Sequence, residues 1–188
     1  DIAICAGDFL ISSAYGCIGN LDLKDGRLLT KHLHDFVQRV IRGQIGDLTQ
    51  DKNQTLVDLD LYQKISKEKS GPLLAMSITL PLIYTNRLSY LESAEQAFYD
   101  YAIAYQIHDD IHDIEQDQAK EGIKSGLNIV TIMQKSGKQS PLKAACDLAL
   151  QKLESSQAHC SKLPFPSNTI LEKEIHEMQQ RISFIGKH

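Results

Sequence analysis

Three aspartates, Asp109, Asp110 and Asp113, stand at D-D-x-x-D spacing, with Gln106 one turn before Asp110 and Asp117 one turn beyond Asp113. At about 100° per residue these five side chains fall within one arc of roughly 100° on a helix. Carboxylates at i and i+4 repel one another and unpaired charge is costly to bury, so such a face asks for a cation. Magnesium takes octahedral oxygen ligation, keeps several waters, and is commonly held by one or two carboxylates together with substrate phosphates. A bridge from carboxylates through magnesium to a diphosphate is the chemistry this spacing suits, with Asp109, Asp110 and Asp113 as metal ligands. A solvated acidic helix end would share the pattern, but its flanks argue otherwise. Ala94, Phe98, Tyr101 and Tyr105 line one side and Ile103, Ile107, Ile111 and Ile114 the other, and a helix apolar on both flanks belongs inside a larger helical body.

The elements that must position this face are helices. The aspartates close an apolar run that a Ser89/Glu92 capping box opens, which predicts one helix from Ser89 to about Asp117. Upstream, residues 2–18 read as a first helix, and Leu28 to Thr49 as a second with Leu33, Phe36, Val37, Val40, Ile41, Ile45 and Leu48 at core spacing. Thr55 with Asp58 predicts another helix start; Ser70-Gly71-Pro72 is expected to interrupt that helix before Leu73–Tyr84. Downstream come a short apolar helix from Asn128 to Gln134, a helix opened by Ser140-Pro141, and a last one capped by Thr169 and Glu172. Strand periodicity is nearly absent. The expectation is one all-α domain over residues 1–188.

Bulk properties narrow the function classes. A net charge of −4 without a basic block argues against nucleic acid as a partner. No uncharged apolar run of membrane-spanning length occurs, the nearest being Ile2 to Ile18 with Asp8 inside it, so a soluble cytoplasmic protein without a transmembrane segment is expected. Cys5, Cys17, Cys146 and Cys160 lack metal-ligand spacing and read as reduced packing residues.

Two further places could meet a phosphorylated ligand. Lys69 stands beside the hydroxyl of Ser70, and a lysine there could contact phosphate as a point charge. Gln44 and Asp47 lie on the edge of the second helix's apolar stripe. By spacing alone each reads more readily as a solvated polar residue.

In combination these residues resemble the trans-isoprenyl diphosphate synthase (polyprenyl synthetase) family. The resemblance rests on Gly7-Asp8-Phe9-Leu10, Gly43-Gln44-x-x-Asp47, Lys69-Ser70-Gly71 and Gln106-x-x-Asp109-Asp110-x-x-Asp113, in this order. It implies the isoprenoid synthase helical bundle, magnesium as cofactor, isoprenoid diphosphates as substrates and a homodimer. It also implies roles. Asp109, Asp110 and Asp113 become the second aspartate-rich motif, Lys69 and Ser70 the pair that grips diphosphate, and Gln106, Gln44 and Asp47 further substrate-binding positions, with Asp109, Asp110 and Lys69 catalytic. The implied reaction is loss of diphosphate to give an allylic cation, which isopentenyl diphosphate attacks.

There are departures from the family pattern. The first aspartate-rich motif is absent, and the chain opens without Met as a core helix already under way, so that motif and the basic residues for isopentenyl diphosphate are expected upstream of Asp1. The expected bundle therefore lacks its N-terminal helices, and the chain alone is expected to be catalytically incomplete. Leu127 replaces a family lysine in the element after the second motif, and Pro72 is unusual. These departures favour a second reading, a non-catalytic subunit that binds or regulates a catalytic partner. A third, an HD-type metal phosphohydrolase, draws on His34-Asp35, His108-Asp109 and His112-Asp113. On the wheel, however, His108 and His112 lie roughly 100° or more from the carboxylate arc, where they are expected to pack among aromatics.

Overall fold

The computed structural model describes residues 2–21, 26–49, 59–113 and 128–186. These residues form seven α-helices and one 3-10 turn, with no strand among them. In chain order they are α1 (Ile2–Gly19), α2 (Gly26–Thr49), α3 (Leu59–Tyr84), the 3-10 turn (Leu88–Tyr90), α4 (Leu91–His112), α5 (Ile129–Lys135), α6 (Pro141–Cys160) and α7 (Thr169–Ile185). The all-α expectation holds for all of them.

The acidic helix α4 is the axis of the bundle. Ala94, Ala97, Ala102, Ala104 and Ile107 on it are wholly buried, and the small side chains let α3 and α6 approach from two sides. On the α6 side, Ser156 Oγ donates to the Ala97 carbonyl at 2.7 Å, and Lys152 and Ser155 hold Asp100 at 3.3 and 2.7 Å. Beyond these neighbours, α2 packs on α3, α7 on α6, and α1 on α2. Both apolar flanks predicted for α4 are buried, apart from half-exposed Tyr105 and from Ile114, which lies outside the described residues.

Several boundaries differ from the sequence expectation. The Ser89/Glu92 capping box does not form: a 3-10 turn takes residues 88–90, Tyr90 is the N-cap without a side-chain hydrogen bond, and α4 ends at His112. Residues 114–117 and the Thr55/Asp58 box lie outside the described residues. At the last helix Asn168 is the N-cap, and the Thr169 hydroxyl instead donates to the Pro166 carbonyl at 2.7 Å. Helix α3 runs unbroken through Pro72. The missing proline N–H releases the Glu68 carbonyl from the helical ladder, but buried packing of Gly71 and Pro72 against α4 carries the helix across.

Two glycines explain the close crossings. A Cβ at Gly71 would lie 2.7 Å from the Tyr99 ring, and one at Gly43 would lie 2.4 Å from the Lys69 backbone nitrogen. The second crossing brings α2 against α3 at the residues that matter for the site. On α2 only part of the predicted stripe is covered: Leu33 and Phe36 are buried, as is Leu29, whereas Ile41, Ile45 and Leu48 are 49%, 54% and 64% exposed. The helix carries two apolar stripes, and α3 covers the one that includes Gly43.

Helix α1 has no buried residue. By length and composition, with a mean hydropathy of 1.5, it would pass for a membrane span, although it contains Asp8 and lies on α2. Of the cysteines, Cys146 and Cys160 are buried and fit the packing role, and burial pushes the Cys160 thiol up to about 11. Cys5 and Cys17 are exposed on α1, so they do not pack as expected.

Candidate active site

The adjacent aspartates of α4 point to different surroundings. Asp110 is 7% exposed. Its Oδ2 accepts from the Tyr62 hydroxyl of α3 at 2.8 Å and from the Ile129 backbone N–H at 3.0 Å, and its Oδ1 accepts from Gln106 Nε2 at 2.8 Å. The Asp110 carbonyl accepts from Asn128 Nδ2 at 2.8 Å, while Asn128 Oδ1 caps α5 through the Val130 N–H at 3.0 Å. Asp110 therefore joins α3, α4 and the start of α5. Burial, and then the Asp110 charge and hydrogen bond, raise the Tyr62 hydroxyl well above the ordinary tyrosine value, which keeps it a donor. Asp109, by contrast, has a side chain 43% exposed, and Asp113 is exposed at the C-cap of α4.

Helices α2 and α3 contribute the cationic part. Arg39 of α2 makes a two-pronged ion pair with Glu68 of α3 at 2.8 and 2.9 Å and also donates to the Tyr99 hydroxyl. Burial works to raise the Glu68 carboxyl, but the hydrogen bonds and charge of Arg39 outweigh it and hold the group below its usual 4.5. Together with Gly43, this pair fixes the α3 backbone at the next residue, Lys69. One turn along α2 from Gly43, Asp47 Oδ2 accepts from Lys69 Nζ at 2.8 Å, with the side chains 16% and 28% exposed. Asp47, Lys69, Gln106 and Tyr62 surround a crevice of about 10 Å³, which is room for no more than about one water.

Ser70 looks the other way, into a larger apolar pocket of about 560 Å³. Leu74 and Ile78 of α3, Phe98, Tyr101 and Tyr105 of α4, and Ile170 of α7 line it. Burial pushes the Tyr101 hydroxyl up to about 12, so it lines the pocket as a neutral phenol. The pocket and the crevice share no lining residue but are lined by consecutive residues on two helices, Lys69 and Ser70 on α3 and Tyr105 and Gln106 on α4.

The structure thus brings Asp47, Lys69, Gln106 and Asp110 together from three helices and leaves Gln44 exposed, three residues from Asp47. Asp109 and Asp113 share the outer face at the end of α4. The motif residues Gly7 to Leu10 lie on α1, and Leu127 lies outside the described residues. His108 and His112 do not pack among aromatics; they lie against each other, with His112 exposed. Tyr62, Asn128 and Ile129 were absent from the sequence candidates. The available signal for Tyr62 was its position seven residues before Lys69, on the same helical face.

Among the described residues no three His, Cys, Asp or Glu side chains converge to hold a metal ion. Oxygen donors from Asp109 and Asp113 nevertheless fit magnesium, which takes one or two carboxylates and draws its remaining ligands from water and phosphate. They fit an ion held jointly with a ligand better than one caged by protein alone.

Comparison with known proteins bears on the family and the fold. A farnesyl diphosphate synthase of Haemophilus influenzae is 29% identical over 172 residues, covering 87% of this chain and 57% of that protein. The chain therefore spans less than two thirds of that relative's length. Among solved structures, a geranylgeranyl pyrophosphate synthetase from the archaeon Geoglobus acetivorans superposes with a TM-score of 0.77 at 19% identity, over 94% of this chain and 66% of that one. The apo form of an Arabidopsis medium/long-chain length prenyl pyrophosphate synthase gives 0.66 at 18% identity, over 100% and 73% of the two chains. At these identities the structural likeness establishes the fold, which is that of the prenyl synthase helical bundle. The polyprenyl synthetase family model matches residues 1–132, a stretch that holds every residue of the polar cluster, Asn128 and Ile129 included, and the chain belongs to the polyprenyl synthetase family.

Proposed function

We propose that the protein is a prenyltransferase that condenses an allylic diphosphate with isopentenyl diphosphate. The observation that carries this reading is the border that consecutive residues form between the polar crevice and the apolar pocket, Lys69 and Ser70 on α3 and Gln106 and Tyr105 on α4. A ligand with an anionic head and a hydrocarbon tail matches both sides of that border. The pocket volume lies within the roughly 300–1,000 Å³ typical of small-molecule sites.

Asp109 and Asp113 are the carboxylates proposed to hold magnesium against the diphosphate. Bound there, the ion would supply the positive charge that favours departure of diphosphate. Asp110, whose oxygens accept from Tyr62, Gln106 and Ile129, is proposed to set the position of this helical turn rather than to face the ligand alone. Lys69 is proposed to supply a point charge to the diphosphate by swinging from Asp47, and Ser70, on the pocket side, to offer a hydroxyl where the head group meets the tail. In the reaction the allylic C–O bond breaks with its electron pair leaving on diphosphate. The double bond of isopentenyl diphosphate attacks the resulting cation, and loss of a proton from the adjacent carbon restores neutrality. The lining of Leu74, Ile78, Phe98 and Ile170 keeps water from the cation.

The test is an assay of the protein with its complete chain, magnesium, isopentenyl diphosphate and an allylic diphosphate. Diphosphate release together with an elongated prenyl diphosphate is expected. Absence of condensation product, alone or with a catalytic partner, overturns the reading. The proposal extends to a homodimer, for which exposed Phe9, Leu10, Ile45 and Leu48 offer apolar surface; a monomeric mass throughout a sedimentation concentration series would contradict that part.

A further inference from the structure

We propose that His108 and His112 form a two-nitrogen site for a transition-metal dication such as zinc or cobalt, on the flank of α4 beside the carboxylate face. The two residues are one turn apart on the same side of the helix. Their Nε2 atoms are 3.1 Å apart and their ring centroids 4.5 Å apart. Two imidazole nitrogens bound to one zinc at about 2.0–2.1 Å, with a tetrahedral angle between them, stand about 3.3–3.4 Å apart. Conversion of the observed contact into a chelate therefore needs a widening of a few tenths of an ångström and a turn of the rings that brings both Nε2 lone pairs onto the ion. Without metal, one Nε2–H donates to the other ring's lone pair. On metal binding the proton of the donor ring moves from Nε2 to Nδ1 by exchange with solvent, so that both rings offer an Nε2 lone pair to the ion and each carries its single proton on Nδ1.

A second observation concerns the far side of the His108 ring. Its Nδ1 is buried without a hydrogen-bond partner, and Asp109 Oδ1 lies 3.6 Å away. Metal-bound histidines characteristically turn their other ring N–H toward a carboxylate, which fixes the tautomer and raises ligand basicity. A metal on Nε2 sets the tautomer that directs Nδ1–H at Asp109. The His112 ring is exposed, so a hydrated ion can reach the pair. Imidazole ligands suit zinc, copper, nickel and cobalt, whereas magnesium takes oxygen, so the two ions are held by different donor atoms, although Asp109 borders both, as a carboxylate proposed for magnesium and as the neighbour of the His108 ring. With no third protein ligand among the described residues, water completes the coordination and the ion exchanges readily. The inference does not depend on prenyl transfer.

The test is titration of the metal-stripped protein, with its complete chain, by cobalt(II) in excess magnesium, followed by the visible absorption of bound cobalt. Saturation at a single equivalent is expected. His112→Ala and His108→Ala should each weaken binding by at least about tenfold, and His176→Ala, at an exposed histidine on α7, should leave it unchanged. Circular dichroism and His112→Asn, which keeps a polar side chain at the exposed position, separate ligand loss from unfolding: His112→Asn is expected to fold and to lose binding. Cobalt binding that survives His112→Ala, that falls equally in His176→Ala, or that never saturates overturns the proposal.

Discussion

Asp109 and Asp110 are neighbours in sequence with different surroundings, and substitution should separate them. Alanine at 110 removes the acceptor for Tyr62, Gln106 and the Ile129 N–H. Gln106 is half-buried and can find water, whereas Tyr62 is 1% exposed and Ile129 is fully buried. Two donors are thus stranded at about 1–3 kcal/mol each, and Asp110→Ala should destabilise by about 3 kcal/mol or more. In a chain of this size that corresponds to a fall of very roughly 6–12 °C in Tm. Asp110→Asn should behave otherwise. Its carbonyl can take over both bonds made by Oδ2, and the Gln106 amide can flip to accept from the new Nδ2, which leaves only the loss of charge assistance, about 1–1.5 kcal/mol. Asp109→Asn, at a half-exposed position, should change stability by no more than about 0.5 kcal/mol yet reduce turnover about a hundredfold, as for lost transition-state charge stabilisation. Urea unfolding of the three variants, read as midpoint shifts at constant slope, and a diphosphate-release assay supply the data. A loss below about 1 kcal/mol in Asp110→Ala, or equal losses in the alanine and asparagine variants, would refute the assignment of Asp110 to the interior.

Three other outcomes are expected. Lys69→Ala should raise the KM for the allylic diphosphate by about 10–100-fold, the value of a hydrogen bond to a charged group, in steady-state kinetics. Leu74→Trp should fill part of the apolar pocket and shorten the longest prenyl product seen by chromatography, with the fold retained. Because Arg39 holds the folded Glu68 carboxyl below 4.5, the contribution of this pair is present above that value and lost as pH falls through the lower folded one. Arg39→Met should therefore lower stability at neutral pH and flatten its decline as pH falls through and below 4.5, as measured by urea midpoints across that range.

Much of the fold was legible because helical periodicity reports burial directly. Ala94, Phe98, Tyr101, Ile103, Ile107 and Ile111 are all buried as their spacing predicts, and Ser140-Pro141 and Asn128 mark true helix starts. The site was legible as a set of residue types but not as a set of contacts. Lys69 and Asp47 each suggested a ligand-binding role; their mutual ion pair depends on where α2 crosses α3, and that crossing is set by Gly43, which has no side chain to advertise it. The half-covered stripe of α2 was hidden for a related reason. Periodicity shows that Ile41, Ile45 and Leu48 share a face with one another, but not whether another element lies on it. The helices that begin at Leu91 and Thr169 were placed to within two residues, but their capping contacts were not, because cap sequences compete with local turns: the segment at Leu88 takes a 3-10 turn, and the Thr169 hydroxyl bonds the Pro166 carbonyl.

The contact at Gly43 also bears on how the lysine could respond to a ligand. At Gly43 the α2 backbone rests on the peptide that joins Glu68 to Lys69, and at that point no side chain lies between the two backbones that could rotate aside and let them slide. The Lys69 Cα is in effect a fixed post, and adjustment falls to the flexible stem of its side chain. Reaching from Asp47 toward an incoming anion then exchanges the 2.8 Å ion pair with Asp47 for one with the ligand and leaves the helical framework where it stood. The cation can exchange one negative partner for another on the timescale of a rotamer change, far faster than helices rearrange.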